Sequence, residues 1–201
     1  NLGTPGTASR GHERLTELLQ SHIAPPAWLM LCFGEIDCRA HFLKQAARQQ
    51  RPPEAIVEDC LDRYFGVALS LSRQGYNLCL YNAAPSCLRP VNKTQFPTVG
   101  TCRERNAVTR LFNDGLARRC ADARFPFLTN FDALVGRDGH SHPWAFFDNV
   151  HLSQRAMVPT LRNLRALFPT ARFREPLAWK LAVRLSWRKA RIHKTDTASA
   201  A

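Results

Sequence analysis

The stretch Trp28-Leu29-Met30-Leu31-Cys32-Phe33, followed at once by Gly34-Glu35-Ile36-Asp37-Cys38-Arg39-Ala40-His41, sets the reading of the whole chain. Six apolar residues in a row, then two acids, an arginine and a histidine, are the pattern of a buried strand that delivers a polar loop. Apolarity that is continuous rather than alternating predicts a strand covered on both faces, as in a parallel sheet. Cys32 is expected to be a small buried hydrophobe in it, like Cys79 in the next run.

Two further runs follow the first. Asn77-Leu78-Cys79-Leu80-Tyr81 is continuous in the same way, and Phe125-Pro126-Phe127-Leu128 is shortened by a proline that suits a strand end or an edge. Helical patterns separate them. Arg10 to His22 carries Leu15, Leu18 and Leu19 on one face. Glu54 to Arg73 keeps a helical period through Ile56, Val57, Cys60, Leu61, Tyr64, Val67, Ala68 and Leu71, and stops at Gly75. Thr101 to Ala121 opens on Thr101-Cys102-Arg103-Glu104, a capping box, with Val108, Leu111, Phe112 and Leu116 on its expected buried face. A last helix is expected from a Ser153 cap through Met157, Leu161, Leu164 and Leu167. Helix and strand alternate, which predicts an α/β fold, a three-layer α/β/α sandwich with a mostly parallel sheet. In such sheets chemistry gathers beyond the carboxyl ends of the strands.

The chain has 201 residues, enough for one domain with a hydrophobic core, here expected over 1–170. No run reaches the roughly 18 apolar residues of a membrane-spanning helix. Seven scattered cysteines without a CxxC pair argue against zinc knuckles and thioredoxin-like chemistry and favour a reducing, cytoplasmic compartment. Of the net charge of +12, more than half lies between Arg172 and Lys194, which hold eight basic residues and one acid. Basicity therefore belongs to a tail, read as a helical segment over 171–193 followed by a small, polar, disordered end over 194–201. Within 176–193, Lys180, Arg184, Arg188 and Arg191 form a basic stripe suited to an anionic membrane surface or an acidic partner, or else to a solvated edge of the domain. Nothing in it resembles a nucleic-acid reading motif. The stretch Asn82 to Gly100, with three prolines, is a loop long enough to form a functional edge.

Three segments carry candidate chemistry. Behind the first strand lie Gly34, Asp37 and Arg39; the structural alternative there is a turn cap at Asp37 and an ion pair from Arg39 to Glu35 or Asp37. No metal-ligand spacing is present, and neither a metal nor a cofactor is expected. In Phe146-Phe147-Asp148-Asn149-Val150-His151, a carboxylate three residues before a histidine can fold back onto one ring nitrogen, fix its tautomer and leave the other nitrogen free as a base. At the start, Asn1-Leu2-Gly3-Thr4-Pro5-Gly6 has glycines that permit close backbone approach, so that an N–H there could face an oxyanion.

Taken in order, these segments resemble blocks of the SGNH/GDSL hydrolase superfamily, and FGEIDCR with the later GT-x-x-E-R-N and D-x-x-HL is similar to a bacterial subgroup of it. The resemblance spans roughly residues 1 to 165. It implies a flavodoxin-like SGNH hydrolase fold missing its first strand, and a serine esterase acting on an acylated carbohydrate or other small ester. In that reading His151 is the base, Asp148 its orienter, Gly6 an oxyanion-hole donor, and Gly34, Asp37 and Arg39 the third-block loop. The block bearing the nucleophilic serine would lie before residue 1, and the 201 residues alone would be inactive. Ile36 stands where the family has an oxyanion asparagine, and isoleucine cannot donate a hydrogen bond. A degenerate hydrolase, keeping the fold as a binding protein of polysaccharide metabolism, is the alternative.

Overall fold

The structure is a computed structural model that describes residues 10–90 and 97–172. The amino-terminal Gly6 turn, part of the Asn82–Gly100 loop and the basic tail beyond Arg172 lie outside the described residues.

Three parallel strands, β1 (Trp28–Leu31), β2 (Asn77–Tyr81) and β3 (Phe127–Leu128), pair in the order β1-β2-β3. Their register sets Met30 beside Cys79 and Leu80 beside Phe127. The helix α1 (Gly11–His22) precedes β1, and α2 (Phe42–Gln49), α3 (Pro53–Arg73), α4 (Cys102–Ala123), α5 (Phe131–Leu134) and α6 (Met157–Leu167) fall between and after the strands. The α/β class and the parallel sheet are as the alternation predicts.

One face of the sheet carries Leu29, Leu31, Leu78 and Leu80 into the main core, where Val57, Leu61, Ala68, Phe112 and Leu116 from α3 and α4 meet them. The other face is covered by α6. Its Thr160 hydroxyl lies 3.3 Å from the Tyr81 hydroxyl at the carboxyl end of β2, and Phe168, just beyond its last turn, stacks edge-on against Trp28 at the amino end of β1 (centroids 5.0 Å apart). The helix thus crosses the sheet diagonally.

That diagonal leaves β1 half bare. Trp28, Met30 and Cys32 are exposed while Leu29 and Leu31 are buried. The expectation of a strand covered on both faces, with Cys32 inside, therefore fails at β1, because α6 lies over β2 and β3 and reaches β1 only at its first residue. Among the described residues β1 hydrogen-bonds to β2 alone, so its other edge is open. An apolar edge without charge or proline is a template for another strand.

Two helical expectations also need correction. Leu111 and Leu18 are exposed, whereas Phe112 and Leu19 beside them are buried. On α4 the buried face is instead partly polar, with Arg105, Asn106, Thr109 and Asn113 inside. The capping box forms as read, the Thr101 hydroxyl accepting from the Glu104 amide and the Glu104 carboxylate accepting from the Thr101 amide. Ser153 caps a short 3-10 turn that runs into α6.

Among the described residues, no helix is long and apolar enough to cross a membrane. None of the seven cysteines is in a disulfide.

Candidate active site

All three strands point their carboxyl ends to one rim, and each is followed there by a different kind of loop. The β1 loop turns sharply at Gly34, whose φ of +104° suits glycine. An added Cβ would also lie 2.7 Å from the ring of Phe112, so the glycine lets α4 close against the strand end. The chain then enters a π-helical turn, Asp37–His41, before α2. Such wide turns are rare and often sit at functional positions. It buries Cys38, Arg39 and Ala40, and the Arg39 Nε is 2.5 Å from a Glu35 carboxylate oxygen. The structural alternative for Arg39 is thus realised. Burial raises the pKa of Asp37, against the pull of His41 and Arg63. Ile36 is exposed on this loop.

Behind β2, α4 holds the loop by its polar face. Asn113 accepts from the Ala83 amide and donates to the Ala83 carbonyl, and Asn106, seven residues earlier on the same face, accepts from the Ser86 amide. Asn106 also donates to Ser141, whose hydroxyl donates to the Ser86 carbonyl. The buried Arg105 guanidinium donates to the carbonyls of Cys87 and Gly100 and so ties together both feet of the intervening loop. Behind β3, the Asn130 side-chain amide donates to the Tyr81 and Thr160 hydroxyls, and the Asn130 backbone N–H donates to the Asn82 side-chain oxygen. Arg105 and Asn106 stand in the GT-x-x-E-R-N pattern read from the sequence, where no role was given to them; Asn113 and Asn130 were not singled out. A signal existed on α4, where polar residues recur at helical spacing among apolar ones.

The segment bearing Asp148 and His151 is fastened to this same rim. His142 N–H donates to Leu134 at the end of α5, and Ser141 is locked to the β2 loop. Beyond it, Phe146 and Leu152 form an antiparallel bridge, and Phe147 N–H donates to the His151 carbonyl. Phe146 and Leu152 turn inward onto a small cluster of Leu134, Ala145 and Ala156. Ser153 closes the base of the hairpin, its hydroxyl donating to Trp144 and its amide to Ala145.

At the tip, Asp148 organises everything within reach. One carboxylate oxygen accepts from the amides of Val150 (2.7 Å) and His151 (2.6 Å), and the other lies 2.8 Å from His151 Nδ1. Slight burial pushes the Asp148 carboxyl up, but these bonds from the two amides and the imidazole outweigh it and hold the pKa below its ordinary value. An ionised acceptor at Nδ1 fixes the proton there, so Nε2 is left with its lone pair outward. His151 is 75% exposed at its side chain and Asp148 45%.

The structure therefore brings Asp148 and His151 together, and groups Gly34, Asp37 and Arg39 on the separate loop that follows β1. Among the described residues no hydrogen bond or ion pair joins the two groups. Gly6 lies outside the described residues. Nor do three His, Cys, Asp or Glu side chains gather, among the described residues, where a metal ion could be held.

No protein-family model matches the chain, and no curated protein matches it. Among solved structures the fold is similar to that of a GDSL-like lipase from Bacteroides thetaiotaomicron, with 12% identity and a TM-score of 0.42, over 57% of this chain and 54% of that one. The chain spans about half the length of that protein. A likeness of this size decides neither family nor activity.

Proposed function

We propose that the chain carries the Asp–His half of an SGNH-type serine esterase. The observation that carries this reading is the Asp148–His151 pair: a carboxylate, fixed by two backbone amides, that holds one imidazole nitrogen and turns the other outward. A serine delivered to Nε2 would lose its proton to His151 as its oxygen attacks an ester carbonyl. The imidazolium, stabilised by Asp148, would return that proton to the departing alcohol. Water then repeats the cycle on the acyl-serine and releases the acid.

Among the described residues the far edge of β1 is unpaired, and a further strand bearing the serine would fit there. A strand added in parallel there would end at the same rim as the other three. Gly6 and the serine's own N–H would receive the developing oxyanion. The substrate in this reading is a small acyl ester, with an acylated carbohydrate as its alcohol part. Replacing His151 by Ala in the full-length protein tests it, with a small aryl acetate as substrate. Turnover should fall by roughly 10²–10⁴-fold; unchanged turnover would reject the assignment.

Ile36 favours a second reading, a degenerate hydrolase that binds but does not cleave. It is exposed on the β1 loop and offers no donor side chain. Loss of one oxyanion donor costs on the order of 10²–10³ in rate. Turnover of an aryl acetate close to the uncatalysed rate, with binding retained, would support this reading.

A further inference from the structure

Phe147 is 83% exposed, the most exposed of the large hydrophobic side chains among the described residues, and it adjoins the Asp–His pair. Its position follows from strand geometry. Phe146 pairs with Leu152, so Phe147 and His151 are the next cross-strand pair outward, and the Phe147 amide donates to the His151 carbonyl at 2.8 Å. Directly opposite residues of an antiparallel pair project to the same face, and successive residues to opposite faces. With Phe146 and Leu152 turned in to the small cluster, the Phe147 and His151 side chains are both left exposed, their backbones joined by that hydrogen bond. Both are held: the bridge and the Asp148 bonds fix the backbone beneath them. A lone exposed apolar residue is ordinary. One placed on a pinned hairpin next to an outward-facing base is in position to meet whatever that base serves.

We propose that Phe147 is the specificity-determining contact for the alcohol part of the ester, and that this part presents a flat C–H face, as a sugar ring does. The inference rests on the esterase reading given above. In acylation the serine oxygen–carbonyl bond forms and the carbonyl–alcohol oxygen bond breaks. The proton moves from the serine to His151 and then to the departing oxygen. That oxygen would therefore lie at Nε2, which would bring the group attached to it within reach of an exposed ring on the same hairpin. An aromatic face offers dispersion contact and burial to C–H groups and no hydrogen bond. It would add little to the ester of a very small alcohol.

The test compares two acetates in the full-length protein, ethyl acetate and an O-acetylated methyl glycoside, so that the acyl group is constant. Phe147→Ala should lower the ratio of kcat/KM for the sugar acetate to that for ethyl acetate by about tenfold, chiefly through KM. Phe147→Trp should restore the ratio. The thermal midpoint should not move, since the ring is outside the core. An unchanged ratio in Phe147→Ala, with both substrates abolished by His151→Ala, would overturn the role of Phe147 and leave the esterase reading standing. Equal slowing of both substrates would overturn it too, because the ring would then serve the acyl group or the loop. Turnover that survives His151→Ala would bring down the esterase reading, and this inference with it.

Discussion

The β1 loop and the Phe146–Leu152 hairpin sit on one rim of the sheet, yet they are built in opposite ways. In the β1 loop the polar groups are drawn inward. Arg39 is buried against Glu35, Gly34 is fitted to Phe112 from a helix some eighty residues on, and burial raises the Asp37 pKa. In the hairpin the chemistry is local. Asp148 collects three hydrogen bonds from residues two and three positions away, and the side chains stay in water. A motif assembled from neighbours in sequence can form without the rest of a site. A loop assembled from distant packing cannot, and it reports on the fold instead.

Substitutions at four positions would break or sharpen that contrast. The largest effect is expected at Asp148. Asp148→Asn keeps an oxygen for the Val150 and His151 amides but no longer accepts from Nδ1–H with a charge. Turnover in the full-length protein should fall by about 10²–10⁴-fold, with hydrogen-exchange protection at the Phe147 amide retained. Asp148→Ala should remove both. If protection survives in Asp148→Ala, the tip is held by something other than this carboxylate.

Gly34→Ala should act on stability rather than on the Asp–His pair. Its Cβ would meet the Phe112 ring at 2.7 Å with φ at +104°. A loss of about 2–4 kcal/mol in urea unfolding is expected, with the His151 imidazole resonances unshifted. Ser153→Ala is smaller, about 1 kcal/mol, because it removes the cap at Arg155 N–H and the bond to Trp144; it should loosen the hairpin base first, seen as faster exchange at Ala156.

The smallest effect is at Asp37, and its sign is opposite. Burial raises this acid's pKa, so the folded chain keeps the proton to higher pH than the unfolded chain does. Stability then falls as pH rises from the ordinary carboxyl range through the raised pKa. Asp37→Asn should therefore raise the thermal midpoint slightly at neutral pH, and the gain should vanish below the ordinary carboxyl pKa. For Asp148 the linkage runs the other way: its contribution is present above the ordinary carboxyl pKa and is lost as pH falls through the depressed one.

The same contrast explains what was legible in the sequence. β2 matches its expected bounds because Leu78, Cys79 and Leu80 are covered on both sides, so a continuous apolar run had one meaning. β1 has an equally apolar run but a bare face, and residue type cannot distinguish apolar side chains that await a cover from those already covered. The Asp148–His151 pairing was readable because D-x-x-H closes through local turn geometry. Arg105 and Asn106 were read only as part of the GT-x-x-E-R-N pattern and Asn113 not at all, because polar residues inside a helix ordinarily face water and the partners they clamp come from the far β2 loop. Phe147 was hidden in the pair Phe146-Phe147: only the bridge to Leu152 tells which ring turns in.

The central claim is that His151 serves as base to a serine brought to the same rim. Labelling of the full-length protein by a fluorophosphonate measures it directly, because only an activated serine reacts. One serine should be labelled in the wild type, and labelling should slow by about 10²–10⁴-fold in His151→Ala. No labelling of the wild type, or equal labelling of both proteins, would contradict it.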